Sequence, residues 1–96
     1  MFIITLSYLQ PLEIVEKYLT EHRNFLELGY QKNYFIASGP KNPRTGGIIL
    51  SHLKTKAELL SIIENDPFYI HKIANYEITE FMPVKYHSQF AHFVEI

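Results

Sequence analysis

"FIASGPKNPRTGGIIL", residues 35–50, joins two apolar runs through a segment that holds two prolines, three glycines and an arginine. The flanks, "NYFIAS" at 33–38 and "GGIILSHL" at 46–53, have the aromatic and β-branched content of strands. Prolines cannot donate to a ladder, so Gly39-Pro40 and Asn42-Pro43 demand an irregular connection between them. Two such strands in mid-chain decide the architecture once the elements on either side are known.

Upstream, residues 2–8 alternate, with Phe2, Ile4, Leu6 and Tyr8 on one face of a strand. A long helix follows, with Pro11 at its first position and Gly29 as a left-handed C-terminal cap. Between them Ile14, Val15, Tyr18, Leu19, Phe25 and Leu26 form an apolar stripe at helical spacing. Downstream, Thr55 followed by Glu58 is a capping box that opens a second helix. Asp66-Pro67 stops or bends that helix, because a residue before proline avoids the helical region. Residues 74–81 alternate again, with Ala74, Tyr76 and Ile78 toward the core.

The order β-α-β-β-α-β is the ferredoxin-like split pattern of an α+β protein, an antiparallel sheet with both helices on one face. In this register the free face carries Ile3, Phe35, Ile49, Leu53 and Phe81. A face that apolar needs a cover, and a second copy of the chain is the simplest one, so a homodimer is expected. Residues 86–96 fall outside the repeat. Phe90, Val94 and Ile96 suit a strand, whereas Tyr86, Phe90, Phe93 and Val94 suit a short helix.

Bulk properties narrow the function classes. With 96 residues the chain is one small domain, and its net charge of -1 comes without any basic stripe, which argues against nucleic acid as a partner. It has no cysteine, so disulfides and thiolate metal sites are excluded and a reducing compartment, the cytoplasm, is the expectation. The apolar start "MFIITLSYLQPLE" is too short for a membrane span, and no membrane association is expected.

Four spaced motifs give the chain a family likeness: His22 in the first helix, Ser38-Gly39-Pro40, Pro43-Arg44-Thr45-Gly46-Gly47, and Asp66-Pro67-Phe68 after the second helix. Through "EHRNFLELGYQKNYFIASGPKNPRTGGIIL" and "ENDPFYIHKIANYEITEFMPV" the sequence resembles the YCII-related family of small dimeric α+β proteins. The likeness runs up to Lys85, which sets a domain of 1–85 and a tail of 86–96 that docks on the domain or on a partner subunit. It implies a ferredoxin-like fold assembled as a dimeric α+β barrel, with a cleft near a histidine-aspartate pair. Most members of that family have no assigned reaction, and a few remove halide from chlorinated aromatic compounds without a cofactor.

The residues themselves allow both a plain and a chemical reading. His22 sits on the apolar stripe, where a histidine serves either as a hydrogen-bonded core residue or, beside a carboxylate, as an acid/base group. Asp66 is either a solvated turn former or that carboxylate. At a helix C-terminus its charge is disfavoured by the dipole unless something compensates it. Ser38, Gly39 and Pro40 form a stiff turn that doubles as a cleft wall, where the serine hydroxyl and backbone N–H groups can hold an anionic oxygen. Arg44 is a solvated cation or a fork for a planar anion. Phe68, Tyr69, Tyr34 and Phe35 are core residues or the lining of an apolar pocket. His52, His71, His87 and His92 lack zinc-motif spacing, so no metal is expected, and no nucleotide or other cofactor signature is present.

Two functions fit. One is a cofactor-independent enzyme in which His22 and Asp66 perform acid/base chemistry, of lyase or hydrolytic dehalogenase type, on a small organic substrate, an aromatic one included. The other is a dimeric module that binds a small ligand in the same cleft without turning it over.

Overall fold

A computed structural model describes residues 1–95; Ile96 lies outside the described residues. The elements run β1 (Phe2–Tyr8), α1 (Leu12–Gln31), β2 (Phe35–Pro40), β3 (Gly46–Ser51), α2 (Lys56–Ile63), α3 (Pro67–Ile70) and β4 (Ala74–Glu80), with α4 (Ala91–Val94) in the tail. The sheet order is β2-β3-β1-β4, and every neighbouring pair is antiparallel. This is the ferredoxin-like α+β fold, made of two interleaved βαβ units. The expected element order holds, with short α3 as an addition.

Cross-strand partners share a sheet face, so the register shows which side chains meet the helices. Ile4 lies opposite Ile49 and Ile78, and Leu6 opposite Gly47 and Tyr76. Phe2, Ile4, Leu6, Phe35 and Ile49 are buried together with Val15, Leu59, Ile63 and Phe68 from the helical layer. Full burial stabilises each large aliphatic or aromatic side chain by about 1.5–3 kcal/mol, which makes this face the main source of stability.

Phe35 and Ile49 therefore belong to the helix side, which corrects the expectation that they lie on the free face. Both rows of β3 are apolar, and alternation alone cannot choose between them. The free face keeps Ile3, Ile48 and Leu50, all half-buried. Leu53 packs against the core cluster.

β2 holds an irregularity that matters for the site. Its pairing shifts between Phe35 and Ala37, so Phe35 lies opposite Ser51 while Ser38 lies opposite Ile49. Strict alternation would send Ser38 to the face opposite Phe35. The bulge restores both to the helix side.

Helix α1 departs from expectation at both ends. Pro11 is the N-cap rather than the first helical residue, and Gly29 lies inside the helix. The left-handed position is taken by Asn33, at φ 62°, a residue whose short polar side chain tolerates it. Gly29 is glycine because the Phe35 ring rests on it: a Cβ there would stand 2.1 Å from Phe35 Cε2. Thr55 caps α2 as expected, its side-chain oxygen accepting from the Glu58 N–H at 3.2 Å. The tail is helical rather than extended, and Phe93 meets the His52 ring edge-on at 5.8 Å. No helix among the described residues is long and apolar enough to cross a membrane.

Candidate active site

The buried stripe of α1 consists of Val15, His22 and Gly29, spaced at two-turn intervals. His22 is thus a core position by geometry, only 8% exposed, and it meets the segment between α2 and β4. There Asp66 is completely buried. Its Oδ1 accepts from His22 Nδ1 at 2.8 Å and from the Phe68 backbone N–H at 3.0 Å. Its Oδ2 accepts from the Tyr76 hydroxyl at 2.5 Å. Among the described residues, no buried side-chain nitrogen or oxygen lacks a partner.

Asp66 does not hang from the unfavourable end of α2, as its place after that helix implied. α2 ends at Ile63, and Asp66 is the N-cap of α3, with Pro67 at the first helical position. A carboxylate is favoured there, because it accepts an orphan N–H at the positive end of the helix. Burial, and after it the charge of Asp66, push the Tyr76 hydroxyl far above the ordinary tyrosine range. Tyr76 therefore stays a donor to the carboxylate.

The imidazole is clamped from the side as well. Phe68 stacks on His22 with ring centroids 3.9 Å apart and planes 3° from parallel, and Tyr8 meets Phe68 edge-on at 6.2 Å. With Nδ1–H committed to Asp66, Nε2 is the ring nitrogen left to the cavity that His22 lines. That cavity has a volume of about 340 Å³, with Leu6, Leu19, Ile49 and Phe68 among its apolar walls.

Ser38, Gly39, Pro40 and Arg44 line the same cavity as His22, and Asp66 stands behind the imidazole. The six residues singled out in the sequence are thus gathered at one place. Ser38 shares a 2.6 Å hydrogen bond with the Tyr30 hydroxyl. Arg44 Nη1 donates to Glu16 at 3.4 Å, and a hydrogen bond with Tyr8 is the main cause holding its guanidinium above the usual arginine value. Of the second glycine motif, Gly46 serves the scaffold: a Cβ there would lie 1.8 Å from the Leu6 carbonyl oxygen.

The pattern of strands, helices and motifs agrees with a known family. The model of the YCII-related domain matches residues 1–82. The chain belongs to the YCII-related family. Among solved structures, this YCII-related chain is similar to 5-chloro-2-hydroxyhydroquinone dehydrochlorinase from Burkholderia phenoliruptrix AC1100, in complex with 2,5-dihydroxybenzoquinone. The TM-score is 0.70 at 19% sequence identity, over 93% of this chain and 98% of that one. That similarity is one of fold. No curated protein matches the sequence.

Several members of the site had no chemical signal in the sequence. Tyr76 was legible only as a core-facing strand residue, and its contact with Asp66 depends on how α3 crosses β4. Arg23, next to His22, also lines the cavity, although nothing in the helical stripe marks it. Among the described lining residues there are two arginines and no aspartate or glutamate.

Proposed function

We propose that this YCII-related protein is a cofactor-independent enzyme that uses His22 for general acid/base chemistry on a small, planar, anionic or easily ionised organic molecule. The observation that carries the reading is a histidine with one nitrogen held by a buried carboxylate and the other left to a cavity with apolar walls, arginines and no acid. Asp66 fixes the tautomer with the proton on Nδ1 and stabilises the imidazolium that forms when Nε2 takes a proton. Arg44, Arg23 and Ser38 are suited to hold developing negative charge on a substrate oxygen. A cavity of about 340 Å³ suits a single substituted ring.

In a lyase-type step, Nε2 removes a proton from an acidic C–H or O–H of the substrate. The electron pair left behind forms a new π bond, and a leaving group departs with its bonding pair. Substrate becomes an unsaturated product plus one equivalent of acid, with no oxidant or reductant required. The fold neighbour is a dehydrochlorinase, and its recorded ligand is an oxygenated six-membered ring. This supports halogenated hydroxylated rings as the first compounds to assay.

The experiment is halide release from a panel of chlorinated hydroquinones and hydroxyhydroquinones, with His22→Gln as the control. Release that His22→Gln abolishes supports the reading. Binding of ring compounds without release, proton exchange or any other turnover would leave the ligand-binding module instead. A cytoplasmic location accords with the absence of cysteine and is tested by fractionation.

We also propose that a second copy covers the free face at Ile3, Ile48 and Leu50. Ile48→Glu is expected to shift a dimeric sedimentation coefficient to that of the monomer, and an unchanged mass would count against this surface.

A further inference from the structure

We infer that Tyr76 is a positioning residue that tunes the basicity of His22 through Asp66, so that the working unit is a Tyr76–Asp66–His22 relay rather than a dyad. This rests on the acid/base reading of His22, but it can be tested without any substrate.

Three donors converge on the buried carboxylate: His22 Nδ1 and the Phe68 N–H on Oδ1, and the Tyr76 hydroxyl on Oδ2. Tyr76 is the described partner of Oδ2, and its ring is held edge-on by Tyr69 at 5.7 Å. Donors that share one acceptor compete. When His22 is neutral, Asp66 depends on Tyr76 for much of its stabilisation. When His22 is protonated, the adjacent cation supplies part of what Tyr76 supplied. The hydroxyl therefore favours the neutral imidazole over the imidazolium.

Removing the hydroxyl reverses this. The carboxylate, still buried but one donor short, draws more strongly on a proton at His22, and the coupled pair binds that proton more tightly. Among the described residues, the other titratable or charged groups lining the cavity beside the ring are Tyr8 on β1, Arg23 on α1 and Arg44 in the β2–β3 connection, and none of them is altered by a change at position 76.

The test is an NMR titration of the His22 ring in the wild-type protein and in Tyr76→Phe. The midpoint is expected to rise in the variant by about 0.5–1 pH unit, roughly 3- to 10-fold in proton affinity. In an Asp66→Asn background the same change should produce no shift, because the relay has lost its middle member. Tyr69→Phe, which removes a neighbouring hydroxyl but keeps the ring contact and does not touch the carboxylate, should also leave the midpoint in place. A midpoint identical in wild type and Tyr76→Phe would overturn the inference, as would an equal shift in the Asp66→Asn background.

Should Tyr76→Phe fail to fold, 3-fluorotyrosine incorporated at position 76 preserves the shape and strengthens the donor. The midpoint must then move down, and an unmoved or raised midpoint would overturn the inference in that arm. Failure of halide release leaves these titrations intact, and failure of the titrations leaves halide release intact, so the two readings can fall separately.

Discussion

Beneath the cavity floor that His22 forms, Asp66 is fully buried and accepts three hydrogen bonds, while at the rim Arg44 stands half-exposed with a 3.4 Å bond to a largely exposed Glu16. The two regions meet the same cavity, one through the His22 ring and one directly, under different physical rules. Floor groups lie in low dielectric, where each polar atom must be partnered and the loss of one partner exposes the full desolvation cost of the others. Rim groups keep their hydration, so their mutual contacts are weak and readily exchanged for a ligand. The contrast teaches that folding itself sets the proton chemistry at the floor, whereas the rim is left free to select what enters.

The strongest way to break that contrast is Asp66→Ala. It strands the donors of His22, Phe68 and Tyr76 in a buried site. A loss of about 3–5 kcal/mol in urea unfolding is expected, a large fraction of the stability of a small domain. A loss below about 1 kcal/mol would mean that the floor is far more hydrated than its burial indicates.

Gly46→Ala comes next. It places a methyl group against the Leu6 carbonyl, which is backbone and cannot swing aside. The expected cost is about 2–3 kcal/mol in thermal or denaturant unfolding, as β1 and β3 are forced apart beside the rim.

A pH-dependent test sharpens the account of the floor. Tyr76 has its pKa raised in the folded state above the 10.0 of a free tyrosine, so its contribution is complete below pH 10. Above that pH the unfolded chain releases a proton that the folded chain retains. The stability advantage of wild type over Tyr76→Phe should then shrink by about 1.4 kcal/mol per pH unit. Parallel pH–stability curves for the two proteins would show that Tyr76 is not held protonated.

The smallest effect belongs to the rim. Arg44→Gln should leave the unfolding midpoint nearly unchanged, since it removes only a solvent-screened ion pair and hydrogen bond. Its consequence should appear in the affinity for an anionic ring such as benzoate relative to uncharged benzamide. A selective loss of benzoate binding fits the rim as the selecting element, and equal loss of both would not.

Much of this arrangement could be read before any coordinates. Capping residues mark element ends by local sterics, and Thr55 opens α2 as expected. Gly39-Pro40, expected in the irregular connection, instead continue β2 opposite Ile48 and Gly47, which leaves 41–45 around Asn42-Pro43 as the connection. Two further misplacements have equally local causes. Gly29 is compatible with either a cap or a close approach, and only the Phe35 ring shows which one applies. Ile49 lies on the face opposite to the expected one because its neighbours Ile48 and Leu50 are just as apolar, so the period carries no phase. Ser38 reaches the cavity by way of a bulge in β2 that leaves no mark in an apolar strand sequence.

From its residues alone the chain determined the β-α-β-β-α-β order, a break between two strands around Asn42-Pro43 and the candidacy of His22 and Asp66, because these depend on contacts within a few positions or on motif spacing. Only the tertiary structure decided that Asp66 begins a helix instead of ending one, that Tyr76 completes its hydrogen bonds, and that Ser38 and Arg44 share a cavity with the imidazole. Hydrogen bonds between residues 10 to 44 positions apart form where packed elements cross, and that crossing is set by the burial of a whole sheet face rather than by any local preference.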